Sequence, residues 1–170
     1  MTDIKKYQGR TAAPAKEHLA KSGNAIANNL AEMQTIAERV SQYQQRSIKG
    51  ERGKMLHLGS LFYDYYLLVE ECLLIIAKTT DRWIPGSMDW RHRLIKLLQS
   101  PIPEKRPQIL SAQSALHIND FLIFYLNYHR HNAAFSEEKL EKLAGKLMQL
   151  NQLLDREFNL VVKVFAPGKH

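Results

Sequence analysis

The stretch Asn119-Asp-Phe-Leu-Ile-Phe-Tyr-Leu-Asn-Tyr-His-Arg-His-Asn-Ala-Ala-Phe135 decides how this chain is read. Its first half is an almost unbroken apolar run, Phe121 to Leu126. Its second half is a basic, nitrogen-rich cluster of His129, Arg130 and His131. Read as one helix, it starts buried on all sides and ends by carrying two imidazoles and a guanidinium to a surface. Working outward, Ser111 is placed to cap this helix, and before it Pro101, Pro103 and Pro107 hold residues 100–110 extended. After it, Ser136 followed by Glu137 and Glu138 opens a last helix that runs to about Val164. In that helix Leu140, Leu143, Leu147, Leu150, Leu154, Phe158 and Val161 recur at helical spacing and form one long apolar seam.

The N-terminal half follows the same rule. From about Ala15 to Arg46, Ile26, Leu30, Met33, Ala37 and Val40 draw a single stripe. Gly23 weakens the start of this helix, and Ser22 or Asn24 suits a helix beginning there. Lys49-Gly-Glu-Arg-Gly53 reads as a turn. A second helix, about Lys54 to Thr80, turns Leu58, Leu61, Phe62, Tyr65, Val69, Cys72 and Ile76 inward, with Asp64, Glu70 and Glu71 mostly off that stripe. Pro85-Gly86 ends the connection that follows, and a short amphipathic helix spans Asp89 to Gln99 with Asp89 as its cap. Nothing reads as a strand. The expected fold is all-α, an antiparallel bundle of four long helices and one short one. Residues 1–14 read as a flexible basic arm and residues 15–170 as a single domain.

A chain of 170 residues buries an adequate core without disulfides or metals, and its single Cys72 cannot form an internal disulfide. The expected setting is reducing and cytoplasmic. No signal peptide is visible, and no apolar run approaches the roughly 18 residues of a membrane span. The formal charge of +7 is unevenly spread. Residues 1–56 hold ten Lys/Arg against five Asp/Glu, and residues 82–106 hold six against two. Between them, residues 57–81 hold one against four. The basic regions suit phosphate polyanions or an acidic protein partner, and equally serve as a solvated surface.

His129, Arg130 and His131 carry the most chemistry in the fewest residues. Successive helical residues point about 100° apart, so His129 and His131 cannot chelate one metal from a regular helix. No metal or cofactor is expected. His131 shares a helical face with Asn127 and Phe135, and Arg130 points elsewhere. One imidazole beside a guanidinium can move a proton and hold a phosphate. The residues alone also allow two surface histidines where a buried helix meets solvent. Arg91, His92, Arg93, Lys105 and Arg106 are the other candidate phosphate contacts. Cys72, on an apolar stripe, reads as core.

The order of several short motifs adds to this. Trp83-Ile-Pro-Gly-Ser-Met-Asp-Trp90 leads to Pro101-Ile102 and Arg106-Pro107, then to Ser111, a helix and Arg130-His131. Over about Leu58 to Phe165 the succession resembles the HepT-like branch of the HEPN superfamily. These are small helical proteins, many of them ribonuclease toxins paired with a nucleotidyltransferase antitoxin. The resemblance implies a homodimer in which the Arg and His of an R-xxxx-H motif meet across the interface. That site cleaves RNA without metal, the His moving a proton and the Arg stabilising the charged phosphate. With the family's second Arg-His placed on Arg130-His131, its first Arg falls on Leu126 and its Tyr on Ala133. The family's Trp-His falls on Trp90-Arg91, with His92 one place late. The loss of one oxyanion donor costs on the order of 2.7–4 kcal/mol. Ala133 has no hydroxyl to accept the AMP that some antitoxins attach at the Tyr.

Two functions are therefore expected. One is a HepT-like, toxin–antitoxin ribonuclease with a degraded motif, its catalytic residues being His131, Arg130 and His129. The other is a catalytically inactive helical homodimer that binds RNA or a nucleotidyltransferase-like partner. A plain helical bundle whose cluster is incidental stands as the third reading.

Overall fold

The computed structural model describes residues 12–46, 51–83, 85–129 and 135–167. Most of the expected basic arm lies outside them. The described residues form five helices: α1 (Ala12–Gln45), α2 (Arg52–Asp81), α3 (Trp90–Gln99), α4 (Ala112–Tyr128) and α5 (Glu137–Phe165). Among the described residues there is no strand, only an isolated antiparallel bridge between Ile102 and Arg106. The fold is the all-helical bundle of four long helices and one short one that the periodicities predict. Among the described residues no helix is long and apolar enough to cross a membrane.

Helical spacing explains the packing. Every residue of the α5 seam, Leu140 through Val161, is buried. It packs on the α1 stripe, whose Ile26, Met33, Ala37 and Val40 are buried too. Helix α2 lies between α1 and α4. Phe62 meets Phe121 and Phe124 edge-on, with ring centroids 5.7 Å away in each case, an arrangement that suits aromatic quadrupoles. Cys72 is buried in this core, and burial pushes its thiol up to about 12. The caps at Ser111 and Ser136 are formed. Ser111 accepts from the Ser114 N–H at 3.1 Å, and Ser136 accepts from the Lys139 N–H at 3.2 Å. Glu157 of α5 adds a carboxylate at the start of α4, accepting from the Ser111 N–H and the Ser114 hydroxyl.

Four local expectations need correction. Helix α1 runs unbroken through Gly23, and Ser22 bonds Thr79 of α2 instead of capping. Gly23 sits where α5 presses on α1, and a Cβ there would lie 3.2 Å from the Phe165 Cβ. Helix α4 stops at Tyr128, so Asn119–Phe135 is not one helix. The Asn127 amide donates to the Ile123 carbonyl, competing for the backbone acceptor. Tyr128 and His129 turn their rings onto Tyr63. Nor is the run Phe121–Leu126 buried all round: α2, α3 and α5 cover three sides of α4, and Ile123 and Leu126 are 50% and 44% exposed on the fourth. Finally, residues 100–110 are not simply extended. Residues 102–106 form a tight turn in which Glu104 takes a positive φ of 61°.

That turn delivers Arg106 to the interior. Its Nε donates to Asp81 Oδ1 at 2.8 Å and its Nη2 to Asp81 Oδ2 at 2.8 Å. The remaining N–H groups go to the carbonyls of Leu97, Ser100 and Pro107. The two side chains are only 4% and 6% exposed. Asp89 occupies the cap position of α3 but its carboxylate pairs with Arg93 at 3.0 Å and makes no cap bond.

Burial pushes the Asp81 carboxyl up, but hydrogen bonds from Arg106 and Thr80 and the charges of Arg106 and Lys105 bring it below its ordinary 3.8. The stability that Asp81 contributes is thus complete above that value and lost as pH falls through the lower folded one. Arg106→Met should cost about 3–5 kcal/mol in denaturant unfolding, because Asp81 is left buried and unpaired. The deficit relative to the parent should shrink as pH falls through the titration of Asp81, because protonation removes the buried unpaired charge. A loss below about 1 kcal/mol would show that the pair is not needed.

Candidate functional site at the end of helix α4

Antiparallel packing brings the C-terminus of α4, the N-termini of α2 and α5 and the C-terminus of α1 to one end of the bundle. An aromatic ledge climbs to this end along α2 and α4. Tyr63 and Tyr66 are three residues apart on α2 and share a face. Tyr125 and Tyr128 stand likewise on α4. The Tyr63 ring stacks on Tyr125 at 5.0 Å and lies 5.0 Å from Tyr128, and Tyr66 meets Tyr125 at 4.8 Å. At the top, the His129 ring meets Tyr63 edge-on at 5.1 Å, with Nε2 3.1 Å from the Tyr63 hydroxyl. Burial, together with the neighbouring Tyr125 hydroxyl, pushes the Tyr63 phenol up. It therefore stays protonated, and the tautomer of His129 decides which of the two groups donates. His129 itself is exposed.

At the foot of the ledge lies a charge cluster. Glu70 is one helical turn beyond Tyr66 and only 8% exposed. It accepts from the Tyr66 hydroxyl at 2.8 Å and from Arg91 Nε at 2.7 Å. Burial first, and then the Glu70 charge, hold the Tyr66 phenol far above its usual range. Burial disfavours the Arg91 charge, but Glu70 outweighs it and keeps the guanidinium firmly protonated. The Arg91 guanidinium lies 4.3 Å from the Trp90 ring centroid and 5.2 Å from that of Tyr125, at cation–π range. This places Glu70 inside the fold, not off the stripe as its spacing suggests.

The sequence candidates are thus distributed unequally. Arg130 and His131, and with them Ala133, lie outside the described residues, as do the helical alignments of His131 with Asn127 and Phe135. His129 and Arg91 belong to one ledge. His92 is exposed on α3, its Nδ1 3.2 Å from Asn119 Oδ1 of α4. Arg93 is exposed and paired with Asp89, and Lys105 is exposed. Arg106 is withdrawn: its guanidinium is buried and committed to Asp81 and three carbonyls, so it has no face for a phosphate. Leu126 stands on the open side of α4. Tyr63, Tyr66, Tyr125, Tyr128 and Glu70 escaped the sequence reading as site residues. The signal for them was the i, i+3 tyrosine pair on each of two neighbouring helices.

Among the described residues no three His, Cys, Asp or Glu side chains converge as a metal site. No curated protein and no solved structure matches the chain. A family model described as HepT-like protein matches residues 57–165. The match takes in α2 through α5, with the Arg106 clamp, the tyrosine ledge and the Arg130-His131 segment, and leaves out α1. It covers well over half of the chain, and on that ground the chain belongs to the HepT-like proteins.

Proposed function

We propose that this HepT-like protein is an RNA-directed homodimer that cleaves RNA without metal at the end of α4, with His131 and Arg130 acting beside His129. One observation carries the reading: the tyrosine ledge ends at His129, the residue immediately before Arg130-His131. The half-buried rings of Tyr63, Tyr125 and Tyr128 and the exposed His129 offer edges on which unpaired bases can stack, and base stacking on aromatic rings tolerates any sequence. A phosphodiester lying next to the stacked base then meets a guanidinium and an imidazole. The imidazole takes the proton of the 2′-hydroxyl as its oxygen attacks phosphorus. The bond to the 5′-oxygen breaks, the imidazolium returns its proton to that leaving oxygen, and a 2′,3′-cyclic phosphate remains. Arg130 stabilises the charge that builds on the phosphoryl oxygens. His129, held through Nε2 by Tyr63, anchors the segment.

The dimer reading rests on the open side of α4. Leu116, Ile123 and Leu126 are 58%, 50% and 44% exposed along it, flanked by Asn119 and Asn127. A second copy of this face, related by a twofold axis, would cover the apolar stripe and bring the two Arg130-His131 segments near one another. A nucleotidyltransferase-type protein is the partner that the family suggests. Leu126, in place of the family's first Arg, favours the second reading, a dimer that binds RNA or such a partner and no longer cleaves.

His131→Ala should lower cleavage of single-stranded RNA at least about 100-fold, and EDTA should leave the parent rate unchanged. Products should end in a 2′,3′-cyclic phosphate. A rate restored only by added divalent metal would refute the mechanism. If cleavage is absent while RNA still binds, the non-cleaving reading holds. Light scattering at micromolar concentration should give twice the 19.6 kDa of one chain, and Ile123→Glu should halve that mass. A monomeric parent would remove the composite site.

A further inference from the structure

A cleft of about 300 Å³ lies between α1 and α2 at the same end of the bundle. Its walls are Arg39, Gln42, Tyr43 and Arg46 of α1 and Lys54 and His57 of α2. The α1 residues fall at i, i+3, i+4 and i+7, so one face of the helix carries them all. The α2 pair is three residues apart. Three permanent cations and an imidazole line the cleft, and no carboxylate does. Glu51 pairs with Lys54 at 2.7 Å from the rim. Among the described residues neither Arg39 nor Arg46 has an acidic partner. The Tyr43 and His57 rings lie 5.6 Å apart at 52°, giving the cationic walls an aromatic lining.

We propose that this cleft is a second nucleic-acid contact, holding the backbone phosphates of an RNA strand whose scissile bond lies at the end of α4. The proposal deepens the RNA-directed reading and rests on it. Two guanidinium groups that have no acidic partner among the described residues match phosphate oxygens, and adjoining rings match an unpaired base. The position also fits. The N-terminal turns of α2 have two sides. Lys54 and His57 face the cleft, while Arg52, Leu56 and Gly59 face a hollow lined by Tyr128 of α4. A helix is about 10 Å across, so a short run of nucleotides over the tip of α2 joins the two places. Charge excludes the other direction. Beyond Arg39 the α1–α2 groove is lined by Glu32, Asp64 and Glu71, which repel a polyanion. The strand therefore crosses the bundle end and does not run along its flank. Arg39 and Arg46 lie outside the part of the chain that matches the HepT-like model, so the contact belongs to α1 of this protein.

The test is fluorescence anisotropy of the full chain with a labelled single-stranded RNA of about 20 nucleotides, over roughly 50–200 mM salt. The double variant Arg39→Gln/Arg46→Gln should bind at least about tenfold more weakly near 0.1 M salt. Its plot of log affinity against log salt should be shallower by about 1.4, the value for two phosphate contacts on a single strand. A control, Lys78→Gln/Lys163→Gln, removes the same charge from exposed positions elsewhere and should leave both quantities near the parent's. Circular dichroism melts should show the double variant folded, since both positions are exposed and Gln is a good helix former. Equal losses in variant and control would overturn the cleft contact in favour of general charge. AMP displacing the RNA at micromolar concentration would overturn it in favour of a mononucleotide pocket. Binding lost with Arg39→Gln/Arg46→Gln but no cleavage by the parent upholds the cleft and sinks the nuclease. Cleavage lost with His131→Ala, with RNA affinity indifferent to the cleft, does the reverse.

Discussion

The buried pair of Arg106 and Asp81 is the constraint from which the placement of the tyrosine ledge follows. A guanidinium has five donors in a rigid fork, and here they are divided between one carboxylate and three backbone carbonyls. The carboxylate closes α2, and two of the carbonyls close α3. One residue thereby fixes the C-terminus of α3 against that of α2. With α3 docked, Arg91 reaches Glu70 in the middle of α2, and its guanidinium lies over Trp90 and Tyr125. Tyr125 then stacks with Tyr63 and Tyr66, and the ledge continues to His129. A salt bridge at one end of the bundle is in this way linked, through two docked helices, to an imidazole at the other.

This recasts what the short sequence motifs are for. Arg106-Pro107 and Trp90 carried much of the resemblance to the HepT-like proteins, and a basic motif in such a chain invites a role in RNA contact. The structure gives Arg106 to scaffolding and makes Trp90 a platform under Arg91. Arg39, Arg46 and Lys54 gather where α1 ends and α2 begins, at the same end as His129. The acidic part of the sequence, residues 57–81, is divided too: Glu70 and Asp81 are spent inside on Arg91 and Arg106, and Asp64 and Glu71 line the flank.

The bundle was largely legible from the sequence because its signals are local. The α5 seam repeats every three or four residues, and its seven positions are all buried. Ser111 and Ser136 cap the helices that follow them, since a cap needs only a hydroxyl at the right offset. Arg106 and Glu70 were misread because their partners lie 25 and 21 residues away, and no periodicity encodes such a pairing. The end of α4 was misread for a related reason. Its aromatic residues continue a helical pattern, but their rings are claimed by Tyr63 on another helix, more than sixty residues earlier. The open side of α4 was hidden by its composition: six apolar residues in a row cover every direction of a helix, whichever sides have neighbours.

The central claim is that RNA is bound at the end of the bundle where α4 finishes. Ultraviolet cross-linking of the full chain to a 4-thiouridine-substituted single strand, with the modified residues mapped by mass spectrometry, tests it most directly. The account predicts adducts on Tyr63, Tyr125, Tyr128 or His129, and on Tyr43 or His57 across the tip of α2. Adducts confined to the opposite end, around Trp83 and Met88, or none at concentrations that saturate binding, would contradict it.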